Sequence, residues 1–150
     1  MRKVLIALTV GFLTTGLATA SEKTAVMAAV HQIVDGFNEG DTKSLLSACA
    51  DETSIIDEVP PHEWHGAGGC SKWMKDYDVF AQKRKITNAV TTLGTPRRIE
   101  ITEGDAYVVV PAKCDYKQEG KPVHENVIVT VSLHKSDLRW RLTGWTWARL

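Results

Sequence analysis

Residues 54–66 read SIIDEVPPHEWHG, and we expect the chemistry of the chain to converge on this stretch. Its first half belongs to a run, residues 53–59, that is rich in β-branched residues and favours a strand. Pro60 and Pro61 end that run, because proline has no N–H to donate to a sheet. Helical patterns lie on both sides of it. The sequence therefore predicts one strand inserted among helices.

Three amphipathic helices are predicted around this strand. Residues 25–38 carry apolar side chains at i, i+3, i+4 and i+7, which is the spacing of one buried helix face. Gly40 can end this helix and Asp41 can cap the next one. After the strand, residues 66–69 open a third helix, whose apolar face lies within residues 70–81.

The rest of the chain has the character of β-structure. Four runs separated by short polar turns predict an antiparallel meander: residues 86–102, 106–117, 122–134 and 138–149. We therefore expect an α+β fold in which a cone-shaped, curved antiparallel sheet packs against three N-terminal helices. The mouth of such a cone is a natural ligand site.

The first 20 residues resemble a secretory signal peptide. Arg2 and Lys3 precede an apolar run over residues 4–17, and residues 18–20 form an A-x-A cleavage site. We expect cleavage before Ser21, a single domain over residues 21–150, and a periplasmic or secreted protein with no membrane contact after cleavage. The alternative is an uncleaved N-terminal anchor.

The charge balance argues against a nucleic-acid partner. The whole chain has 18 basic and 18 acidic residues, and loss of Arg2 and Lys3 leaves 16 basic residues, a formal net charge of −2. Nucleic-acid binding needs a clustered positive field, which the sequence lacks.

Three cysteines remain in a chain predicted to be exported: Cys49, Cys70 and Cys114. There is no C-x-x-C pair, so neither a metal cluster nor a thioredoxin-like site is expected. The favoured interpretation is that all three are buried free thiols that pack as small apolar side chains. The alternative is a Cys49–Cys70 bridge, since both residues lie at predicted helix ends.

Several short patterns resemble the nuclear transport factor 2 superfamily, and within it the SnoaL-like and ketosteroid-isomerase-like proteins. They are N-x-G-D at residues 38–41, A-D-E at 50–52, Gly66, and W-R-L at 140–142. The resemblance covers residues 24–149 and implies a conical pocket and a homodimer. It does not imply one activity, because the family includes isomerases, dehydratases, cyclases and non-catalytic modules.

By this resemblance Asp57 occupies the position of the carboxylate base of ketosteroid-isomerase-like enzymes. Strand alternation predicts that only one of Asp57 and Glu58 enters the cone. The oxyanion hole of those enzymes is missing, since Ile33 stands in place of its tyrosine and residues 127–133 contain no acid. Loss of one such donor typically costs about 10²–10³ in rate, so steroid-type isomerisation is not expected.

His62, Glu63 and His65 superficially resemble a metal site. The spacing follows Pro60 and Pro61 in a loop and lacks the helical register of zinc proteases, so no metal is predicted. Either histidine is instead a candidate acid/base partner for Asp57 across the mouth, as in scytalone-dehydratase-like relatives, and His65 is the one carried into the hypotheses below.

The ligand-binding candidates are the aromatic residues Trp64, Trp73 and Tyr77, together with Asp57. Trp145 and Trp147 share a strand parity with arginines, so we expect them on the outer sheet face where relatives dimerise.

Three functions follow as hypotheses. The first is an exported protein that binds a small apolar or aromatic molecule without a cofactor, with Asp57 and His65 orienting its polar end. The second is a lyase or isomerase with Asp57 as general base and His65 or Tyr77 as partner. The third is a non-catalytic module that dimerises through its sheet and has a filled cone.

Overall fold

The computed structural model describes residues 14–150 and confirms the α+β architecture of three helices and a curved sheet. None of the helices in these residues combines the length and apolar character needed to cross a bilayer. The predicted signal peptide, residues 1–20, lies largely outside the described residues, and its cleavage stays a prediction. The helices are α1 (Thr14–Glu39), α2 (Thr42–Ala48) and α3 (Gly69–Arg84). The strands are β1 (Cys49–Ile56), β2 (Glu63–Trp64), β3 (Ile86–Leu93), β4 (Arg98–Thr102), β5 (Asp105–Gln118), β6 (Lys121–Ser136) and β7 (Arg139–Arg149).

The described strands form one sheet in the order β2-β1-β7-β6-β5-β3, and β4 lies along the same edge of β5 as β3. Strands β3 to β7 form the expected antiparallel meander, but β1 pairs with β7 in parallel. The sheet is therefore mixed rather than purely antiparallel. This parallel pair joins the N-terminal half of the chain to its last strand.

Two strand boundaries differ from the prediction. The first strand begins at Cys49 and ends at Ile56, so Asp57 lies just beyond it rather than inside it. The predicted run over residues 86–102 is broken into β3 and β4. Gly94 occupies the break, where its N–H donates to the carbonyl oxygen of Pro111 at 2.7 Å and a Cβ would lie 3.2 Å from that proline.

A β-bulge in β7 overturns the expected orientation of two tryptophans. Ser132 pairs with Gly144, but the next residue of β6, Leu133, pairs with Leu142, so one extra residue of β7, Thr143, is left over. Such a bulge reverses the alternation of side chains beyond it.

Trp145, Trp147 and Arg149 consequently point to the inner, concave face of the sheet and not to its outer surface.

The first helix is tied to both the second helix and the sheet edge. Gly36 allows close contact with α2, since a Cβ there would lie 2.9 Å from the main-chain nitrogen of Leu45, which is fully buried. The amide side chain of Asn38 makes two 2.8 Å hydrogen bonds to the main chain of Thr91 in β3. The family-like motif at residues 38–41 thus has a structural role: it holds α1 against the wall of the cone.

Cys49 and Cys70 form a disulfide, which corrects the favoured interpretation of three free thiols. The bridge connects the start of β1 to the first turn of α3 across 21 residues of sequence. Cys114 is the free cysteine of the described residues and is partly buried.

Removal of this bridge is expected to destabilise the fold. In the chain-entropy account, a loop of this length corresponds to about 3 kcal/mol of unfolding free energy. We therefore predict that Cys49→Ala/Cys70→Ala lowers the unfolding free energy in urea by about that amount. Cys114→Ala, which removes no bridge, is the matched control. Equal losses in the two variants would contradict the prediction.

Candidate functional site

A cavity of about 450 Å³ lies between the helices and the concave face of the sheet. Helix α1 and the middle of the sheet supply apolar walls, α3 supplies one side, and the turn after β1 and the ends of β5 to β7 form a more polar mouth. The apolar lining consists of Val30, Ile33, Val34, Phe37, Val59, Pro60, Trp73, Phe80, Ile86, Leu93, Val129, Val131, Leu142, Trp145 and Trp147. The polar lining consists of Asp57, Glu58, His62, Tyr77, Arg84, Thr91, Cys114, Tyr116, Gln118, Glu125 and Arg149.

Helix α3 presents one continuous face to this cavity. Trp73, Tyr77, Phe80 and Arg84 line it at i, i+4, i+7 and i+11, which places them on the same side of a helix. At about 1.5 Å per residue this face extends about 16 Å. Trp73, at one end of this face, lies beside Asp57, and Arg84 lies at the other end.

Asp57 is buried, with 9% of its surface exposed, and lines the cavity. One carboxylate oxygen accepts the main-chain N–H of Val59 at 2.9 Å, and the other accepts the indole N–H of Trp73 at 3.1 Å. Burial nevertheless raises the pKa of this carboxyl above its ordinary value, because desolvation of the charged form outweighs both hydrogen bonds. A carboxylate has about four acceptor positions, so each oxygen retains one for a ligand.

Aromatic rings surround this carboxyl. Trp73 meets Trp145 edge to face, with centroids 5.1 Å apart, and stacks on Tyr77 at 5.6 Å. Phe37 of α1 meets Tyr77 edge to face at 5.0 Å. Because these rings come from α1, α3 and β7, the aromatic wall exists only in the folded chain.

Tyr77 contributes a hydroxyl to the cavity. Within residues 14–150 this hydroxyl has no hydrogen-bond partner, although the ring is packed on two others. Burial raises the pKa of Tyr77, so the group stays protonated and can donate to a ligand.

A charged network crosses the mouth. The guanidinium of Arg149 donates to Glu58 at 3.1 Å from Nε and lies 3.1 Å from a carboxylate oxygen of Glu125. The hydroxyl of Tyr116 donates to that same oxygen at 2.8 Å, and burial, with the hydrogen bond to Glu125, raises the pKa of Tyr116 to about 12. This network ties the turn after β1 to the last three strands.

Glu58 therefore lines the cavity as well as Asp57, contrary to the expectation that only one of them enters it. Alternation fails here because β1 ends at Ile56 and both acids lie in the following turn. The two side chains have different surroundings: Asp57 bonds to neutral N–H groups, while Glu58 pairs with Arg149.

Two of the predicted site residues do not line the cavity. Trp64 is buried elsewhere, where its indole N–H donates to Asp76 at 2.8 Å. His65 faces solvent, with its ring nitrogens 3.2 Å from the hydroxyl of Ser54 and 3.4 Å from the carboxylate of Glu63. The reason is β2, which pairs with β1 antiparallel and carries this segment away from the mouth. The structure thus brings together Asp57, Trp73 and Tyr77 but not Trp64 or His65.

His62, rather than His65, lies at the mouth. Its Nδ1 lies 3.2 Å from the main-chain carbonyl oxygen of Asp57, not from the carboxylate. In residues 14–150 there is no group of three or more His, Cys, Asp and Glu side chains placed to hold a metal ion.

The sequence interpretation missed the contribution of β7. Trp145, Trp147 and Arg149 line the cavity, together with Tyr116 and Glu125 of the neighbouring strands. One signal was present: Gly144, a glycine inside an apolar strand, is typical of a bulge or of close backbone approach. A Cβ at this position would lie 2.7 Å from the carbonyl oxygen of Ser54.

Comparison with known proteins identifies the fold. No protein-family model matches the sequence, and no curated protein does so either. A hexachlorocyclohexane dehydrochlorinase from Novosphingobium barchaimii superposes with a TM-score of 0.75 at 14% identity, covering 90% of each chain. A nuclear transport factor 2-like superfamily protein from Salmonella enterica superposes with a TM-score of 0.71 at 12% identity, covering 89% of this chain and 92% of the other. The chain has the NTF2-like fold.

A ketosteroid isomerase-like protein from Erwinia carotovora also has this fold, with a TM-score of 0.67, 13% identity and coverage of 92% of this chain and 98% of the other. At such low identities the NTF2-like neighbours share architecture only. Their names include enzymes and proteins without a stated activity, so the function of this chain has to be inferred from its own cavity.

The buried carboxyl has a consequence for stability that can be measured. Because the folded state raises the pKa of Asp57, the folded state binds its proton more tightly than the unfolded state. The stability that this carboxyl contributes is fully present below its ordinary pKa of about 4. It is lost as the pH rises through the raised pKa of the folded state. We predict that Asp57→Asn abolishes this pH-dependent loss of stability. The difference in unfolding free energy between wild type and variant should therefore become smaller from acid to neutral pH.

At acid pH the variant is expected to be less stable by about 1–3 kcal/mol, because the amide cannot accept from both Val59 and Trp73. Asp76→Asn makes the same change in the carboxylate that accepts the Trp64 indole N–H outside the cavity, and it is the control. Urea unfolding at several pH values measures both differences. A difference for Asp57→Asn that stays constant, or follows that of Asp76→Asn, would contradict the assignment.

Proposed function

We propose that this NTF2-like protein binds a small, largely apolar or aromatic molecule in its cavity. The observation that carries the proposal is a cavity of about 450 Å³ with aliphatic and aromatic walls and one buried carboxyl, that of Asp57. Pockets of this size and composition, with a few convergent polar groups, are typical of small-molecule sites. Asp57 and the hydroxyl of Tyr77 would fix the orientation of the bound molecule.

Catalysis is the weaker candidate. Among residues 14–150 the carboxylate of Asp57 accepts hydrogen bonds from Val59 and Trp73 but from no acid/base partner. His65 lies outside the cavity, and Tyr77, the other expected partner, lines the cavity without a hydrogen bond to this carboxylate. Ile33 lies in the cavity wall at the position where the resemblance implies a tyrosine. The geometry therefore favours binding over proton transfer.

N-phenyl-1-naphthylamine, an uncharged fluorescent molecule, is a suitable probe of this cavity. We predict saturable binding that raises the fluorescence of the probe and quenches protein emission, because Trp73, Trp145 and Trp147 line the cavity. Val34→Trp places a large side chain in the cavity from α1 and is expected to weaken binding at least about tenfold, since it occupies the space the probe needs.

Val79→Trp is the matched control, because residue 79 is 59% exposed on α3 and does not line the cavity. It should bind the probe as wild type does. The proposal fails if wild type does not bind the probe saturably, or if Val34→Trp binds it as tightly as wild type.

We also infer export and self-association. The Cys49–Cys70 bridge supports an oxidising compartment, which agrees with the predicted signal peptide. Self-association is supported by an uncharged row on the outer sheet face, where Val109, Thr130, Thr146 and Ile56 lie side by side on four neighbouring strands. A second copy of this face is the proposed partner.

Sedimentation at micromolar concentration tests the self-association. We predict a dimer for wild type and a monomer for Thr130→Glu, which puts a charge at the centre of the row. Lys75→Glu, at an exposed position of α3 away from the outer sheet face, should leave the dimer intact. A monomeric wild type, or a dimer unaffected by Thr130→Glu, would rule out this interface.

A further inference from the structure

Asp57 is a buried acid without a cationic partner. Among residues 14–150 its carboxylate takes part in no ion pair, and its two hydrogen bonds come from the neutral N–H groups of Val59 and Trp73. The neighbouring charge of Glu58 is of the same sign. Buried carboxylates in proteins are normally paired with a cation. Asp57 has no such partner in the described residues, and a ligand can supply it.

The cations near the cavity are occupied elsewhere. Arg149 pairs with both Glu58 and Glu125 at the mouth. The guanidinium of Arg84 lies 5.4 Å from the ring centroid of Phe80, eleven residues along α3 from the tryptophan that contacts Asp57. The ring of His62 contacts the main-chain carbonyl of Asp57 and not the carboxylate. No described side chain therefore neutralises this acid.

The surroundings of Asp57 suit an organic cation. Trp73, which donates to its carboxylate, stacks on Tyr77 and meets Trp145, so several ring systems lie close to the acid. The face of an aromatic ring attracts a cation, most strongly when the pair is removed from water. A carboxylate among aromatic rings is a chemical environment that binds ammonium groups.

We propose that the ligand of this cavity is an amine, protonated in solution, on an apolar or aromatic body, and that its ammonium group pairs with Asp57 beside Trp73. This assignment rests on the proposed binding function and adds the class of ligand. Burial raises the pKa of Asp57 because no cation compensates the desolvated charge of its carboxylate. A bound ammonium group would supply that compensation.

Three ligands of one shape test the assignment: 2-(1-naphthyl)ethylamine, 2-(1-naphthyl)ethanol and 1-naphthylacetate. Their affinities are measured at neutral pH by displacement of N-phenyl-1-naphthylamine. The amine should bind at least about tenfold more tightly than the alcohol, because a charge-assisted hydrogen bond in a dry site is markedly stronger than a neutral one. The carboxylate should bind most weakly, since its charge repels Asp57.

The variants Asp57→Asn and Asp76→Asn form a matched pair, because each removes a carboxylate that accepts an indole N–H, one inside the cavity and one outside it. In Asp57→Asn the advantage of the amine over the alcohol should fall to within about twofold. In Asp76→Asn the amine should keep the affinity advantage over the alcohol that it has in wild type. If Asp57→Asn does not fold, the ranking of the three ligands on wild type decides.

Equal binding of amine and alcohol by wild type, or an amine advantage that survives in Asp57→Asn, would overturn the assignment. Tightest binding of the carboxylate would also overturn it and would point to Arg84 as the selecting charge. These outcomes differ from failure of the binding function itself, in which the uncharged probe does not bind at all.

Discussion

The hydrogen bond from the indole of Trp73 to the carboxylate of Asp57 is the contact on which the site depends. It joins the turn after β1 to helix α3, while the second oxygen of Asp57 holds the same turn through the main chain of Val59. With both bonds in place, the acid is fixed at the edge of the cavity and the indole forms part of its wall. The same contact thus positions a charge and an aromatic surface for one ligand.

A second constraint comes from the last strand. The extra residue at Thr143 turns Trp145, Trp147 and Arg149 to the concave face. Without the bulge the two indoles would lie on the outer face, the cavity would lose much of its aromatic wall, and the mouth would lose the guanidinium that holds Glu58. A local irregularity in the sheet therefore determines both the lining and the mouth of the cavity.

The sequence predicted the helices and most of the meander because their apolar periodicities are local. It also placed Asp57, Trp73 and Tyr77 in one cavity. It did not predict the parallel pairing of β1 with β7, and it offered the Cys49–Cys70 disulfide only as the alternative to free thiols, because both features depend on contacts between distant parts of the chain. The placements of Trp64 and Trp145 were wrong for a related reason: strand β2 and the Thr143 bulge change side-chain direction, and neither has a strong local signal.

The indole N–H resonances of the five tryptophans test most directly whether the cavity around Asp57 is the binding site. In a ¹⁵N-labelled sample, addition of 2-(1-naphthyl)ethylamine should shift the signals of Trp73, Trp145 and Trp147. The signals of Trp64 and Trp140, whose indoles bond to Asp76 and Glu22 away from the cavity, should stay in place. Shifts confined to Trp64 and Trp140, or no shift at Trp73 at saturation, would contradict a ligand site built around Asp57.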